Sequence, residues 1–233
     1  MPDADVNKLK DVKELDGPLA DRVYDAVKSA ILRLDFLPGE TIRKSSVCTH
    51  LGLSRSPVSD ALSRLSGEGL VDIYPQSGSR VSRLSVAAIH EDSFLREALE
   101  VAAVRHATEH VTDAMLDALD RNIGVQLEMV EEMDDDTFIA TDTAFHEIIM
   151  QSTNVSRLWP TVRAVSQNVD RARRLLLPEE GRLAETVAEH SEIVAAIRNR
   201  DVAAAEEAMR RHVRELPARL VPLAEAYPDL FSS

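Results

Sequence analysis

Asp142 and His146 stand four residues apart in the stretch TDTAFHEIIMQ, so a helix would project both from one face, one turn apart. His190 falls on the same helical stripe as Val187, Val194 and Ile197, and His212 lines up with Ala205, Ala208, Met209 and Leu216. A single histidine on an apolar helix face is ordinarily a hydrogen-bonded core residue. Three of them, with an acid in D-x-x-x-H spacing, point to an Asp-plus-three-His metal site inside a helical bundle. Such a site leaves coordination positions for water or a ligand, and its donors suit Zn, Ni, Mn or Fe(II). His106 and His110 are also four apart, but His110 falls at an expected helix end, so surface roles or roles beside the site are expected. His50 and His90 read as solvent-facing. Catalysis finds little support. His146-Glu147-Ile148-Ile149-Met150 lacks the second histidine of H-E-x-x-H, and Glu147 sits about 100° around the helix from His146. No nucleophile triad or glycine-rich phosphate loop is present.

The composition suits the helices that must carry these residues. Of 233 residues 44% are hydrophobic and only 4% aromatic, with 8 Gly and 10 Pro, which favours helix over sheet. The net charge of −13 argues against a nucleic-acid partner only until the chain is divided. Residues 1–85 carry 12 Lys+Arg and 12 Asp+Glu, whereas residues 86–233 carry 15 and 28, with no lysine. The acidity lies wholly in the second part, so a local cationic patch near the N-terminus is available. The lone Cys48 cannot form an internal disulfide and reads as a small buried residue in a reducing compartment. MPDADVNKLK has no apolar core, and no run approaches the roughly 18 apolar residues of a membrane span, so a soluble, cytoplasmic protein is expected.

Along the chain, residues 1–17 read as a loose polar arm. Leu19, Val23, Ala26, Val27, Ala30, Ile31 and Leu34 form one helical stripe, ended by Pro38-Gly39. A short helix follows from Lys44 to Leu51, closed by Gly52. Another starts near Arg55 with Val58, Leu62 and Leu65 inward, Ser54 or Ser56 as its cap and Pro57 in its first turn. Leu70–Tyr74 and Ser79–Val81 alternate as strands around the turn residues Pro75-Gln76-Ser77-Gly78. Three helices and a β-hairpin make a winged helix-turn-helix, taken here as residues 18–83.

Three pieces, PLADRVYDAVKSAILRLDFLPGETI, HLGLSRSPVSDALSRLSGEGLV and YPQSGSRV, closely resemble the N-terminal domain of the GntR family of bacterial transcriptional regulators. The resemblance covers almost all of Pro18 to Val81. It implies double-stranded DNA as partner, with the third helix in the major groove and the wing at the neighbouring minor groove. Ser54, Arg55 and Ser56 match the DNA-contacting start of that helix, and Gly78 the wing-tip glycine. The chemistry agrees: an arginine at a helix start can fork onto a guanine edge or a phosphate, and first-turn amides and hydroxyls suit phosphate. The chain departs from the family at Ser59, where a second arginine is common, and at Ser45, a frequent basic position, with Arg43 and Lys44 displaced toward the helix start. These departures bear on the operator sequence, not on DNA binding itself.

After a linker at residues 84–90, the chain reads as helix to about Leu220, with breaks at 110–113, Met133 to Asp136, 152–154, 177–179 and 199–201. Asp113, Asp136, Asn154 and Asp201 are the candidate caps or turn residues. The expectation is therefore an antiparallel six-helix bundle over residues 91–220. The tail, residues 221–233, is expected to pack loosely, with Pro217, Pro222 and Pro228 ending helix formation. TDTAFHEIIMQSTN, AEHSEIVAAIRNRDVAAAEEAM and RRHV resemble the FCD domain, the ligand-sensing bundle attached to many GntR regulators. In its metal-binding members one Asp and three His hold the ion, and the matching positions are Asp142, His146, His190 and His212. Six helices would place the chain in the VanR-like subgroup.

A small organic acid is the expected effector, its carboxylate on the open metal positions. Arg96 matches an arginine common on the first FCD helix, while Arg163 and Gln167, one turn apart with Asn168 nearby, could hold the ligand's other end. The reading is a ligand-responsive repressor acting as a homodimer on an inverted repeat. The alternatives are a metal-dependent enzyme or metal-storage bundle with a winged-helix interaction module, or a regulator whose ion merely staples helices.

Overall fold

The computed structural model describes residues 2–132, 134–179 and 181–232, and divides the chain into two compact units. The first comprises Met1–Val86 with Ala224–Ser233, the second Ala87–Leu223. In the first unit α1 (Leu19–Leu32), α2 (Lys44–Leu51) and α3 (Arg55–Gly67) pack with a sheet of β1 (Thr41–Ile42), β2 (Val71–Tyr74) and β3 (Gly78–Val81) in the order β1-β3-β2. Both pairings are antiparallel, with Thr41 opposite Arg80 and Tyr74 opposite Gly78. The hairpin between β2 and β3 turns through Gln76 and Gly78, both at positive φ. Strand β1 was not foreseen. It is two residues long, too short to leave an alternating pattern.

Residues 1–17, expected as a loose arm, are packed against this unit. Val6–Lys8 and Val12–Glu14 form 3-10 turns, and Ala4, Leu9 and Val12 are buried in the same core as Val23, Val27 and Leu62. Val6, Leu9, Val12 and Leu15 recur at every third position through two short turns joined by extended backbone at Leu9 and Asp11, and all four reach the core, Leu9 and Val12 buried. The C-terminal tail is likewise not loose. Leu84 and Phe231 form a parallel bridge, with the Leu84 amide on Leu230 O (3.0 Å) and the Ser232 amide on Leu84 O (2.7 Å).

The second unit is helical: α4 (Val86–Glu109), α5 (Asp113–Glu132), α6 (Asp135–Gln151), α7 (Leu158–Val165), α8 (Gln167–Leu176), α9 (Arg182–Arg198) and α10 (Val202–Ala226). Among the described residues there are seven helical segments where six were expected, because the fourth is two. The break is Ser166 alone, whose backbone stays in the right-handed helical region (φ −94, ψ −4) and whose hydroxyl donates to Val162 O at 2.7 Å. The six expected helices are thus present, the fourth notched at a single residue. Asp134, not Asp136, caps α6, accepting from the Thr137 amide; Met133, at the start of that expected break, lies outside the described residues. Pro217 and Pro222 sit inside α10 and do not end it. Leu216, Leu220 and Leu223 are all buried on one stripe, and that burial outweighs the roughly 3 kcal/mol an internal proline costs.

The core of the second unit gathers Val104, Leu119, Phe145, Ile149, Ile193, Ile197 and Met209. Phe145, one residue before His146, lies flat on the His190 ring at 4.0 Å between centroids, so the apolar core forms one wall of the polar cluster.

Candidate functional site

Asp142 and His146 on α6, His190 on α9 and His212 on α10 meet in the second unit, with one ligand-capable atom from each lying within 4.8 Å of the others. All four are buried. The arrangement is held from outside, through the far nitrogen of each ring. His146 Nδ1 lies 2.5 Å from Glu100 Oε2, His190 Nδ1 2.8 Å from Gln126 Oε1, and His212 Nδ1 2.7 Å from Glu189 Oε2. Carboxylates only accept, and the Gln126 amide is oriented by donating its Nε2 to Asn122 Oδ1 at 2.7 Å. Every Nδ1 must then carry the proton, which leaves three Nε2 lone pairs facing one another. His212 Nε2 is 3.3 Å from both His190 Nε2 and His146 Nε2. Two imidazole nitrogens bonded to one tetrahedral ion at about 2.0–2.1 Å would be about 3.3 Å apart. Donor type, tautomer and spacing all fit a divalent ion.

Asp142 closes the fourth side, its carboxylate oxygens 3.6 Å from His190 Nε2 and 4.0 Å from His146 Nε2. Burial alone would raise its pKa, but the Arg173 guanidinium, held on both oxygens at 2.5 and 2.7 Å, and the nearby imidazoles bring it well below the carboxylate range. Glu100 is lowered in the same way, against its burial, by Arg96 and His146. His190 is pushed well below the usual imidazole value, first by burial and then by His212. His212 is lowered chiefly by burial, although Glu189 pulls the other way. Ionised carboxylates and neutral imidazoles are the forms that bind metal.

Two clefts flank the cluster, and Arg96 and Arg173 line both. One continues to Arg182, Thr186 and His212; the other reaches Trp159 and Arg163. Arg96 is buried, paired with Glu100, and places Nη2 3.1 Å from His146 Nε2, where it donates to that lone pair. Arg163 lines the second cleft but is paired with Asp170 at 2.7 Å, and Gln167 is buried yet lines neither cleft. His106 and His110 stack on each other at 4.2 Å, away from the cluster ligands, and His50 and His90 are exposed. Sequence reasoning missed Glu100, Gln126, Arg173 and Glu189. Glu100 and Gln126 are buried in α4 and α5 beside Ser93, Arg96 and Asn122, so their stripes are not apolar in sequence and lack the contrast that marked the histidines.

Glu189→Gln should keep the fold but weaken metal binding about 10- to 100-fold, since it removes the charge that orients and polarises His212. Competition with a chelating dye measures it, and an unchanged affinity would mean His212 is no ligand.

In the first unit a groove runs between the starts of α2 and α3 and the wing turn, lined by Arg43, Lys44, Arg55 and Gly78 together with Thr41 and Gln76. Arg43 is the residue before α2 and Lys44 its first; Arg55 is the first of α3. Ser54, Arg55 and Ser56 are exposed, and Ser54 makes no side-chain cap bond. The first-turn amides of α3 therefore remain available. Among the described residues Arg55 and Lys44 make no ion pair, whereas Arg64 is engaged by Asp21 at 2.5 Å and by the Tyr24 ring at 3.9 Å. Ser59 lies one turn further along α3, half-buried and outside the groove lining.

Residues 19–81 match the family described as bacterial regulatory proteins, gntR family, and residues 93–215 match the FCD domain. A Streptomyces ambofaciens protein described as an uncharacterized HTH-type transcriptional regulator in an unstable DNA locus is 33% identical over 91% of this chain and 89% of its own length. This chain is a GntR-family transcriptional regulator with an FCD domain. The HTH-type transcriptional repressor RspR of Escherichia coli K12 is 28% identical over 92% of this GntR-family chain and 94% of its own. Two solved structures share the fold at 20% identity. E. coli McbR/YncC does so with a TM-score of 0.75, covering 91% of this chain and all of that one, and a putative GntR regulator from Rhodococcus sp. RHA1 with 0.74, covering 87% and 97%. The matched family and the named relatives of this GntR-family chain are transcriptional regulators, not enzymes.

Proposed function

We propose that this regulator is a repressor whose DNA affinity is set by a small organic acid bound at a divalent metal ion in the FCD bundle. The observation that carries the reading is the Nδ1 hydrogen bonds of His190 to Gln126 and of His212 to Glu189, with the close His146 Nδ1–Glu100 contact, which together turn three Nε2 atoms toward one point beside Asp142. A histidine buried only for packing would satisfy its Nδ1 in the same way, but packing does not call for three Nε2 atoms turned toward one another beside a carboxylate. The ion, when bound, supplies positive charge and open coordination positions for a carboxylate. The chain's own residues do the rest. Arg96, reaching both clefts, is placed to hold the acid's second polar group, and Arg163 borders the second cleft. Ser54, Arg55, Ser56 and Lys44 contact DNA, with Arg43, Ser59 and Gly78 at the margins. A homodimer reading an inverted repeat in the cytoplasm completes the reading, and repression is supported by the printed names of relatives such as RspR.

An effector acts only through its different affinities for DNA-competent and released states, a coupling of about 1–3 kcal/mol in typical cases. The test is anisotropy of labelled promoter-proximal DNA during titration with a panel of small carboxylic acids. One acid should release the DNA from metal-loaded protein and fail on chelator-treated protein. Release that is indifferent to the chelator would separate the ion from sensing and leave it a structural staple.

Acid should weaken the bundle. His190 and His212 have folded pKa values below the ordinary value of about 6.5, so they stay neutral where an unfolded chain takes up protons. Their contribution is fully present above about pH 6.5 and is lost as the pH falls toward the folded values, by up to about 1.4 kcal/mol per pH unit for each imidazole. Urea midpoints of the metal-free protein at descending pH read this, and a flat profile below pH ~6.5 would contradict it.

A further inference from the structure

The N-terminal segment does more than cover the core of the first unit. Its backbone pairs alongside β1, with the Thr41 amide on Pro2 O and the Ala4 amide on Thr41 O, both at 3.0 Å, and a parallel bridge between Asp3 and Thr41. Buried Ala4, Leu9 and Val12 hold it there. This pairing delivers the Asp3 carboxylate to Arg43, with Oδ2 2.5 Å from Nε. Arg43 lines the groove that also presents Arg55 and Lys44. Of those three cations only Arg43 has an acidic partner among the described residues, and the pair is solvent-accessible, with side chains 60% and 49% exposed. A carboxylate fixed by backbone bonds onto a groove-lining guanidinium occupies the position and makes the charge-assisted hydrogen bond that a DNA phosphate would use.

We propose that Asp3 is a built-in competitor for DNA phosphate at Arg43, tuning DNA affinity downward independently of the ligand site. DNA that reaches Arg43 must displace a carboxylate anchored within the chain, and Arg43 releases no counterion on binding because Asp3 already neutralises it. Segment 1–17 reinforces the assignment: with five Asp+Glu and three Lys it is acidic, in a unit whose task is to meet a polyanion.

The experiment uses full-length protein and a labelled duplex of arbitrary sequence, since a phosphate contact carries no sequence information. Anisotropy is measured across a salt series for wild type, Asp3→Asn, Arg43→Ala and the double variant. Asp3→Asn leaves the backbone pairing intact, and equal melting temperatures verify this. It should bind about two- to fivefold tighter at low salt, and its log K against log salt should steepen by about 0.9. In the Arg43→Ala background the Asp3 substitution should have no effect on either quantity. Unchanged or weakened binding by Asp3→Asn would overturn the proposal, the latter by making Asp3 a positioning group for Arg43. So would an equal gain from Asp16→Asn, which changes the same charge elsewhere on the segment. Wild type that binds no duplex at all would instead refute the DNA-contact assignment of the groove.

Discussion

His190→Ala should abolish high-affinity metal binding and lower the melting temperature of metal-loaded protein by about 12–32 °C, with helical content retained at about 20 °C. Two effects add. The substitution removes a fully buried ring that stacks on Phe145 and bonds Gln126, a loss of roughly 2–4 kcal/mol by analogy with other buried large-to-small changes. It also removes a ligand, and with it the linkage stabilisation, about 4 kcal/mol when free metal exceeds the dissociation constant 1,000-fold. A protein of this size moves by about 2–4 °C per kcal/mol, so a summed loss of roughly 6–8 kcal/mol corresponds to about 12–32 °C. The decisive reading is the difference between metal-loaded and metal-free protein. It should be large for wild type and nearly zero for His190→Ala. If both lose the same number of degrees on chelation, the ion sits elsewhere. His106→Ala, which removes the ring stacked on His110 and none of the four cluster residues, should leave the difference intact.

The second large effect is on DNA. Arg55→Ala should weaken binding to the cognate operator by about 10- to 100-fold and relax base preference at one position of each half-site, as loss of a forked guanine contact does. Lys44→Ala should weaken operator and unrelated duplex alike and reduce the salt slope by about one, as a phosphate contact does. The contrast rests on where each charge stands. Arg55 and Lys44 face the groove without an internal partner among the described residues, whereas Arg64 is engaged by Asp21 and Tyr24. Arg64→Ala should therefore stay within about twofold of wild type. Quantitative anisotropy on operator and scrambled duplex measures all three. A uniform loss from Arg55→Ala across sequences would reassign it to a phosphate.

What could be read from the sequence followed from periodicity, and what could not followed from its exceptions. Asp142, His146, His190 and His212 are legible because a polar side chain on an apolar stripe stands out against its neighbours; the structure gathers all four. The winged unit is legible because Gly52 and Gly78 sit at positive φ, where a turn requires it, between stripes of unambiguous period. The one-residue break at Ser166 leaves no mark in the period, since Ser166 keeps right-handed helical angles and its hydroxyl bond to Val162 O is of a kind that Thr141, Thr186 and Ser191 make inside unbroken helices. Pro217 and Pro222 carry a strong local stop signal that the burial of Leu216, Leu220 and Leu223 overrides. Arg173 and Glu189 come from exposed-looking positions of α8 and α9, and only the packing of those helices turns them toward Asp142 and His212. Residues 1–17 are not legible because two three-residue turns joined by extended backbone follow neither the helical nor the strand period.

X-ray absorption at the edge of the metal that co-purifies with the protein, or is restored to it, tests the centre of this account most directly. One ion per chain is predicted, in a shell of three imidazole nitrogens and at least one oxygen at about 2.0–2.2 Å, changing to two imidazoles in His212→Ala. A shell without imidazole scattering, or one untouched by His212→Ala, would contradict it.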